Sequence, residues 1–451
     1  MIELAIPTGG EASVGLSAEA CLKCNVCNTV CPVLRVTDRF PGPKYVGPQA
    51  QRFRLAVEST PGAAGRPLGA SPDLSVDWCS GCGMCTAACP AGVRIAEINN
   101  RARAVLRSVE RPGPLGWRHR LRDRLLGETD LLGRIGVPLA PLANLALHAR
   151  LTRGLAQMAL GIHRHAALPA FTRRTFARRW QDRHGPLPTT PGPGLPGPER
   201  AVVFFHGCAA NYYEPHVADA AVAVLERNGF QVIVPPQLCC GLPLISNGRY
   251  EVAADRARRN LAVLGGFARA GYRIVGTSTS CTHTLKAEYR EMLDLDDADA
   301  QAVAGATWDI SEFLLRLHEE GRLDTAFGRL EGPLPYHAPC QLRSHGIGLP
   351  ALDLFALVPG LAAQDLDRDC CGVAGTYGLK EEKYQVAMDV GAPLFADLRA
   401  SPAVVAACDS ETCRWHLQRA TGKRMRHPVE VLAEAYAAAA PSPSLPPAGS
   451  A

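Results

Sequence analysis

Eight cysteines fall into two runs of one spacing: Cys21, Cys24, Cys27 and Cys31 followed by Pro32, and Cys79, Cys82, Cys85 and Cys89 followed by Pro90. Each reads C-x2-C-x2-C-x3-C-P. Three thiolates separated by two residues wrap one corner of an iron–sulfur cubane. The proline then turns the chain, so that the fourth thiolate reaches across to the other cluster. On this reading Cys21, Cys24, Cys27 and Cys89 hold one [4Fe–4S] cluster, and Cys79, Cys82, Cys85 and Cys31 hold the second. C-x2-C pairs also suit zinc, but zinc sites rarely repeat three evenly spaced cysteines with a fourth before proline.

A second set of cysteines belongs to an internal repeat. Cys208, Cys239-Cys240-Gly241 and Cys281 recur as Cys340, Cys370-Cys371-Gly372 and Cys413, at offsets of 132, 131 and 132 residues. One unit is therefore present twice. Four thiolates per half suit a further iron–sulfur cluster or a zinc ion. The competing explanation is apolar packing of buried cysteines. His206 and His337 shortly precede Cys208 and Cys340, and His283 follows Cys281; these are taken as ordinary strand-end and loop histidines. Arg343 and Lys380 suit an anion, though no motif surrounds them.

The elements that must position these cysteines follow from pattern and punctuation. In each half, strand-like runs precede the cysteines: 202–205, 231–234 and 273–276 in the first, 403–406 in the second, with a helix over 216–228. Strands leading into Cys281 and Cys413 place the thiols in loops at the C-terminal ends of parallel strands, where sites in such sheets form. Helical spacing is read over 93–109 and 49–59, turn chemistry at 40–44, and loop over 62–72. The Pro/Gly-rich stretch 186–199 marks the clearest boundary. The expected organisation is a ferredoxin-like unit over 10–110 and a basic amphipathic helical segment over 111–185. Beyond the 186–199 linker come two α/β repeats over 200–325 and 331–436, then a disordered tail over 437–451. The fold class is mixed: an α-helical N-terminal domain with two iron–sulfur motifs, then two repeated α/β units.

Charge is uneven. Residues 101–185 hold 17 Arg, no Lys and five acids, a local +12 in a chain of net +5. Arg118, Arg122 and Arg124 alternate there with Leu121 and Leu125, and the apolar run 135–147 is interrupted by Pro138 and Pro141. At about 13 residues it falls short of the roughly 20 needed to span a bilayer. Two readings fit: a helix lying in a membrane interface, or helices packed on the neighbouring domain with solvated Arg. Nucleic acid is not expected, because no binding motif accompanies the charge. The N-terminus shows no basic n-region or apolar h-region, so a reducing compartment is expected for the 17 cysteines. No G-x-G-x-x-G follows a strand, so no flavin or nicotinamide site is expected.

The Cys-Cys-Gly with one Cys about 30 residues before and another about 42 after resembles the CCG domain of heterodisulfide-reductase-related iron–sulfur oxidoreductases. With the two-cluster N-terminal unit, the whole resembles the family of iron–sulfur subunits, third of their complexes, of anaerobic glycerol-3-phosphate dehydrogenases. The stretches that carry this are 21–32 with Tyr45-Val46-Gly47-Pro48, Leu160-Gly161-Ile162-His163, and 370–378. The resemblance implies an electron-transfer subunit, with no catalytic residue of its own, peripheral to the cytoplasmic face of the cytoplasmic membrane. It would take electrons from flavin-containing dehydrogenase subunits and pass them towards quinone. An iron–sulfur subunit of a heterodisulfide-reductase-like or glycolate/lactate oxidase complex is the alternative, as is a membrane adaptor with structural CCG domains. The chain departs from the full pattern, which ends in C-x2-C: Ser278 and Ser410 hold the first of those positions, with Cys408 displaced by two residues.

Overall fold

The computed structural model describes residues 14, 17–52, 74–109 and 116–439. Of the expected helix over 49–59, residues 49–52 are helical and continue the turn Tyr45–Gln49, and the remainder lies outside the described residues. The expected loop over 62–72 lies outside them as well, as does the expected tail over 437–451 from residue 440 on; its first two residues instead end the helix Pro428–Ala438.

Each half of the repeat builds a four-stranded parallel sheet. The first has β1 (Ala201–Phe205), β2 (Gln231–Ile233), β3 (Arg273–Gly276) and β4 (Thr307–Asp309), in spatial order β2-β1-β3-β4. The second has β5 (Gly332–Tyr336), β6 (Leu361–Asp365), β7 (Val405–Ala407) and β8 (Arg424–Arg426), ordered β6-β5-β7-β8. The same order in both halves is the structural counterpart of the cysteine offsets. β1 is apolar and buried throughout, as a central parallel strand covered on both faces must be. β5 is less regular because Pro333 and Pro335 remove alternate donors, and it pairs with β7 at Tyr336. The last strand before Cys413 begins two residues later than the expected 403–406, after the Ser401-Pro402 turn has left Val404 exposed.

The two halves are joined through buried contacts. His427 Nε2 lies 2.6 Å from the Thr277 carbonyl oxygen. Trp415 Nε1 donates to Glu214 Oε1 at 2.8 Å, and Arg414 pairs with the same carboxylate. Ser278 Oγ lies 3.3 Å from Glu411 Oε1.

The basic segment forms helices Gly116–Gly127, Thr129–Gly136, Ala140–His148, Arg150–Leu160 and Phe176–His184. Here the expectation of an alternating basic face is corrected. Arg122 is buried, donating to Glu382 at 2.8 and 2.9 Å and to Asp123 at 3.0 Å. Arg118 donates to Glu381 at 2.9 Å. These arginines hold the segment onto the second half. Lys380, a candidate anion binder by sequence, is likewise buried, against Asp123 at 2.9 Å and Asn247 at 2.8 Å. Arg343 pairs with Asp365 and Asp367. The 160–163 stretch serves the same seam: Ile162 bridges Lys380, and His163 stacks on Tyr384 with ring centroids 3.7 Å apart.

Candidate metal centres

The two N-terminal cysteine runs adopt one backbone shape. Lys23 and Asn25 flank Cys24 at φ of 57° and 72°; Gly81 and Gly83 flank Cys82 at 69° and 80°. The paired left-handed residues curl each loop so that its thiols turn inward. Glycine adopts this freely, whereas a side-chain-bearing residue costs about 1–2 kcal/mol. The first run bears that cost facing solvent. The second has no room for side chains, since a Cβ at Gly83 would lie 2.2 Å from Ser344 Oγ of the second half.

Cys21, Cys24, Cys27 and Cys89 line one small pocket together with Lys23, Lys44 and Ile95. Cys31 neighbours Cys79, while Cys82 and Cys85 neighbour both Cys31 and Cys79. Each group of four therefore draws its fourth thiol from the other run. Burial pushes the Cys31 thiol up to about 11, and burial with the neighbouring Cys21 and Cys89 raises Cys27. Thiols gathered this way stay protonated unless a cation offsets their charge. The donor set is four sulfurs at each place, with amide donors nearby: Val93 N lies 3.4 Å from Cys89 Sγ and Asn99 Nδ2 3.8 Å from Cys79 Sγ. Both sets fit a [4Fe–4S] cubane. Cys24 is exposed and Cys21 and Cys89 partly so, whereas Cys31, Cys79, Cys82 and Cys85 are buried.

The second group is buried because the N-terminal unit is seated on the second half. Lys383 Nζ reaches Asp77 Oδ2 at 3.0 Å and sits 3.4 Å from the Trp78 ring centroid. Tyr377 donates to the Trp78 carbonyl at 3.1 Å. Cys82 packs directly against Cys340 and Cys370.

In the first half Cys208 and Cys239 approach to 3.7 Å, with Cys240 and Cys281 beside them. In the second, Cys371 and Cys413 lie 3.1 Å apart, and Cys340 and Cys370 adjoin. The four repeat cysteines of each half thus converge. Ser278 and Ser410 occupy matching places, as N-caps of the short helices bearing Cys281 and Cys413. Gly372 explains the glycine of Cys-Cys-Gly: at φ of 90°, a Cβ there would meet the Ala387 carbonyl oxygen at 1.9 Å. The first-half counterpart Gly241, at φ of 95°, meets nothing closer than 3.6 Å, so only its backbone conformation demands glycine.

A cavity of about 380 Å³ joins these centres. Its wall includes Cys82, Cys208, Cys240 and Cys281, then Cys340 and Cys413. Opposite lie Leu125, Leu132, Leu147, Leu160, Leu168 and Phe171 of the basic segment, so most of the lining is apolar. Glu288 and Glu411 also reach it. Burial raises both carboxyls. Asp130, which accepts from Cys239 N at 3.0 Å, is pushed by burial up to about 6. These carboxylates have no local sequence signature.

Comparison with known proteins follows the same division. A model described as a 4Fe-4S dicluster domain matches residues 17–93, and one described as a cysteine-rich domain matches 202–286 and 334–418. The third subunit of anaerobic glycerol-3-phosphate dehydrogenase from Escherichia coli K12 is 35% identical over 428 residues, covering 93% of this chain and 99% of that protein. The second subunit of fumarate reductase (CoM/CoB) from Methanothermobacter marburgensis is 25% identical over 91% of this chain and 70% of its own length. The glycolate oxidase iron-sulfur subunit of E. coli K12 is 24% identical, covering 92% of this chain and 93% of that protein.

Proposed function

This chain belongs to the family of the third subunit of anaerobic glycerol-3-phosphate dehydrogenase, an iron–sulfur component of a multi-subunit dehydrogenase, and from that premise we propose that it passes electrons from a flavin-containing partner to a quinone bound in the apolar cavity. The observation that carries this reading is the cavity itself, which adjoins Cys82 of the second cubane set and is walled by apolar helices of the basic segment.

In this reading Cys21, Cys24, Cys27 and Cys89 ligate the first cluster, and Cys31, Cys79, Cys82 and Cys85 the second. Bound there, [4Fe–4S] clusters supply one-electron transfer between two-electron partners. The chain's own residues do the rest. Exposed Cys24, with Lys23 and Lys44 around it, presents the entry side to the donor, and the seating on the second half keeps water from the buried set. Quinone reduction also takes up protons, and Glu288, hydrogen-bonded by Thr284 Oγ1 at 2.7 Å, is the wall carboxyl placed to hold one.

Access to a lipid-soluble quinone calls for membrane contact, placing the chain peripherally on the cytoplasmic membrane face. Among the described residues no single helix is long and apolar enough to cross a membrane; helices Thr129–Gly136 and Ala140–His148 reach that length only together and are bent by 112°. Their outer surfaces, with that of Arg150–Leu160, expose Leu131, Ile135, Leu142, Leu145, Leu151 and Met158. Burying such side chains in the interface contributes up to about 1.5–3 kcal/mol each. The full chain is therefore expected to co-sediment with anionic liposomes. Leu142→Glu with Leu145→Glu should weaken binding at least about tenfold, one decade per 1.4 kcal/mol lost. Unchanged binding in that variant, or none in the parent, would remove the membrane contact.

A further inference from the structure

Helix Ile95–Val109 turns one face, Ile95, Asn99 and Arg103 at four-residue spacing, onto the loop that carries Cys79. All three residues are buried. An amide in the middle of such a face forgoes the apolar contact a leucine would make there, so its hydrogen bonds must account for it. Asn99 Oδ1 is buried without a partner, whereas Nδ2 has one, the Cys79 sulfur at 3.8 Å. Arg103 grips the same cysteine by its backbone, with Nη1 2.5 Å from the Cys79 carbonyl oxygen, and so fixes the sulfur that the amide faces. Against Asn99 lies the Tyr45-Val46-Gly47-Pro48 stretch. Gly47 leaves the helical conformation there, at φ of −89° and ψ of −106°. A Cβ on it would lie 3.0 Å from Asn99 Oδ1 and 3.1 Å from Ile95 Cγ2. A stretch that stands out in the sequence thus makes room for one side-chain amide. The outer set is built otherwise: Cys89 Sγ accepts from a main-chain amide, Val93 N, at 3.4 Å.

We propose that the Asn99 amide sets the reduction potential of the cluster held by Cys31, Cys79, Cys82 and Cys85, raising it by favouring the reduced form. On reduction one electron enters, no bond forms or breaks, and the added negative charge spreads onto the sulfurs. An N–H aimed at one of them stabilises the reduced state more than the oxidised, because a hydrogen bond strengthens with the charge on its acceptor. Since this set is buried, no water takes over the bond when the amide is removed. A side-chain donor at the inner set biases the electron inward, away from exposed Cys24 and towards the cavity beside Cys82. The inference rests on the cubane ligation given above for the inner four cysteines, and it is independent of the quinone.

The test is a redox titration of the full chain, purified anaerobically and followed by electron paramagnetic resonance. The inner signal is the one that an aqueous dysprosium chelate does not broaden. Asn99→Leu, close in volume but without a donor, should lower the inner midpoint by at least about 59 mV, a tenfold loss in the reduction equilibrium. Iron content and the outer midpoint should stay as they were. Gly47→Ala, which crowds the amide without touching the cluster, should lower the same midpoint by less and add nothing to Asn99→Leu. An inner midpoint unmoved at full iron content, or equal shifts of both midpoints, would overturn the inference alone. Parent protein with a single cluster would overturn the ligand sets and the inference with them. If Asn99→Leu assembles no inner cluster, the parent decides: with nitrogen-15 in its asparagine side chains, pulsed resonance of the inner signal should show coupling to that nucleus, and a signal without it would overturn the assignment.

Discussion

Cys89→Ser is expected to abolish the same cluster signal as Cys27→Ser, although 62 residues separate the two, and to spare the signal lost in Cys82→Ser. In the fold, Cys89 lies in the pocket with Cys21, Cys24 and Cys27, and Cys31 lies with Cys79. Each single variant should lose about half the iron, since serine replaces one of the four thiolates that a cubane requires. The two losses should differ in severity for the rest of the molecule. The group of Cys82 is buried against the second half, so its collapse exposes Cys340 and Cys370 as well, and lowered thermal stability should accompany it. The outer group has an exposed ligand, and its loss should leave the C-terminal halves intact. Electron paramagnetic resonance of reduced protein reads both outcomes. If Cys89→Ser removed the signal that Cys82→Ser removes, the crossed ligation would be wrong.

Arg122→Met should be the most damaging substitution outside the cysteines. Arg122 is 1% exposed and makes a two-pronged contact with Glu382 besides its bond to Asp123, which in turn holds Lys380. Removing one partner of a buried pair leaves the other charge unpaired, at about 3–5 kcal/mol. Because the Glu382 side chain keeps 27% exposure, water recovers part of this, and the low end, about 3 kcal/mol, is expected. The measurement is the urea midpoint of the full chain together with the susceptibility of the 116–184 helices to limited proteolysis. Arg124→Met, exposed on the same helix, should change neither. Equal stability of the Arg122 variant and the parent would mean that the segment is held by its apolar contacts alone.

The contrast between these arginines marks the limit of sequence reading here. Arg118, Arg122 and Arg124 alternate with leucines, and that pattern fits a membrane-facing basic helix and a helix docked by its charges equally well. What separates them is the position of Glu381, Glu382 and Asp123 in space, two of them about 260 residues away. The same holds for Lys380, which has no motif because its partners come from three distant segments. By contrast, the doubled cysteine spacing and the repeat offsets are properties of the chain itself, and the offsets predicted the two matching sheets. Strand runs of continuous apolar residues, such as Val202–Phe205, were legible for the same reason. The closeness of His337 to Cys371 and Cys413 was not legible, because sequence distance to a cysteine says nothing about where a ring lies in the fold. The cavity was not legible at all: its walls come from separate stretches of chain scattered between Ser80 and Trp415.

That cavity bears the central claim, and the most direct measurement is its effect on electron exit. Protein with both clusters chemically reduced is mixed anaerobically with a short-chain naphthoquinone, and cluster reoxidation is followed optically. The account predicts that Leu168→Trp, which fills the apolar wall, slows reoxidation by the quinone at least tenfold, while reoxidation by ferricyanide, which can take electrons at the exposed Cys24 side, is unchanged. Equal quinone rates in the variant and the parent would contradict it.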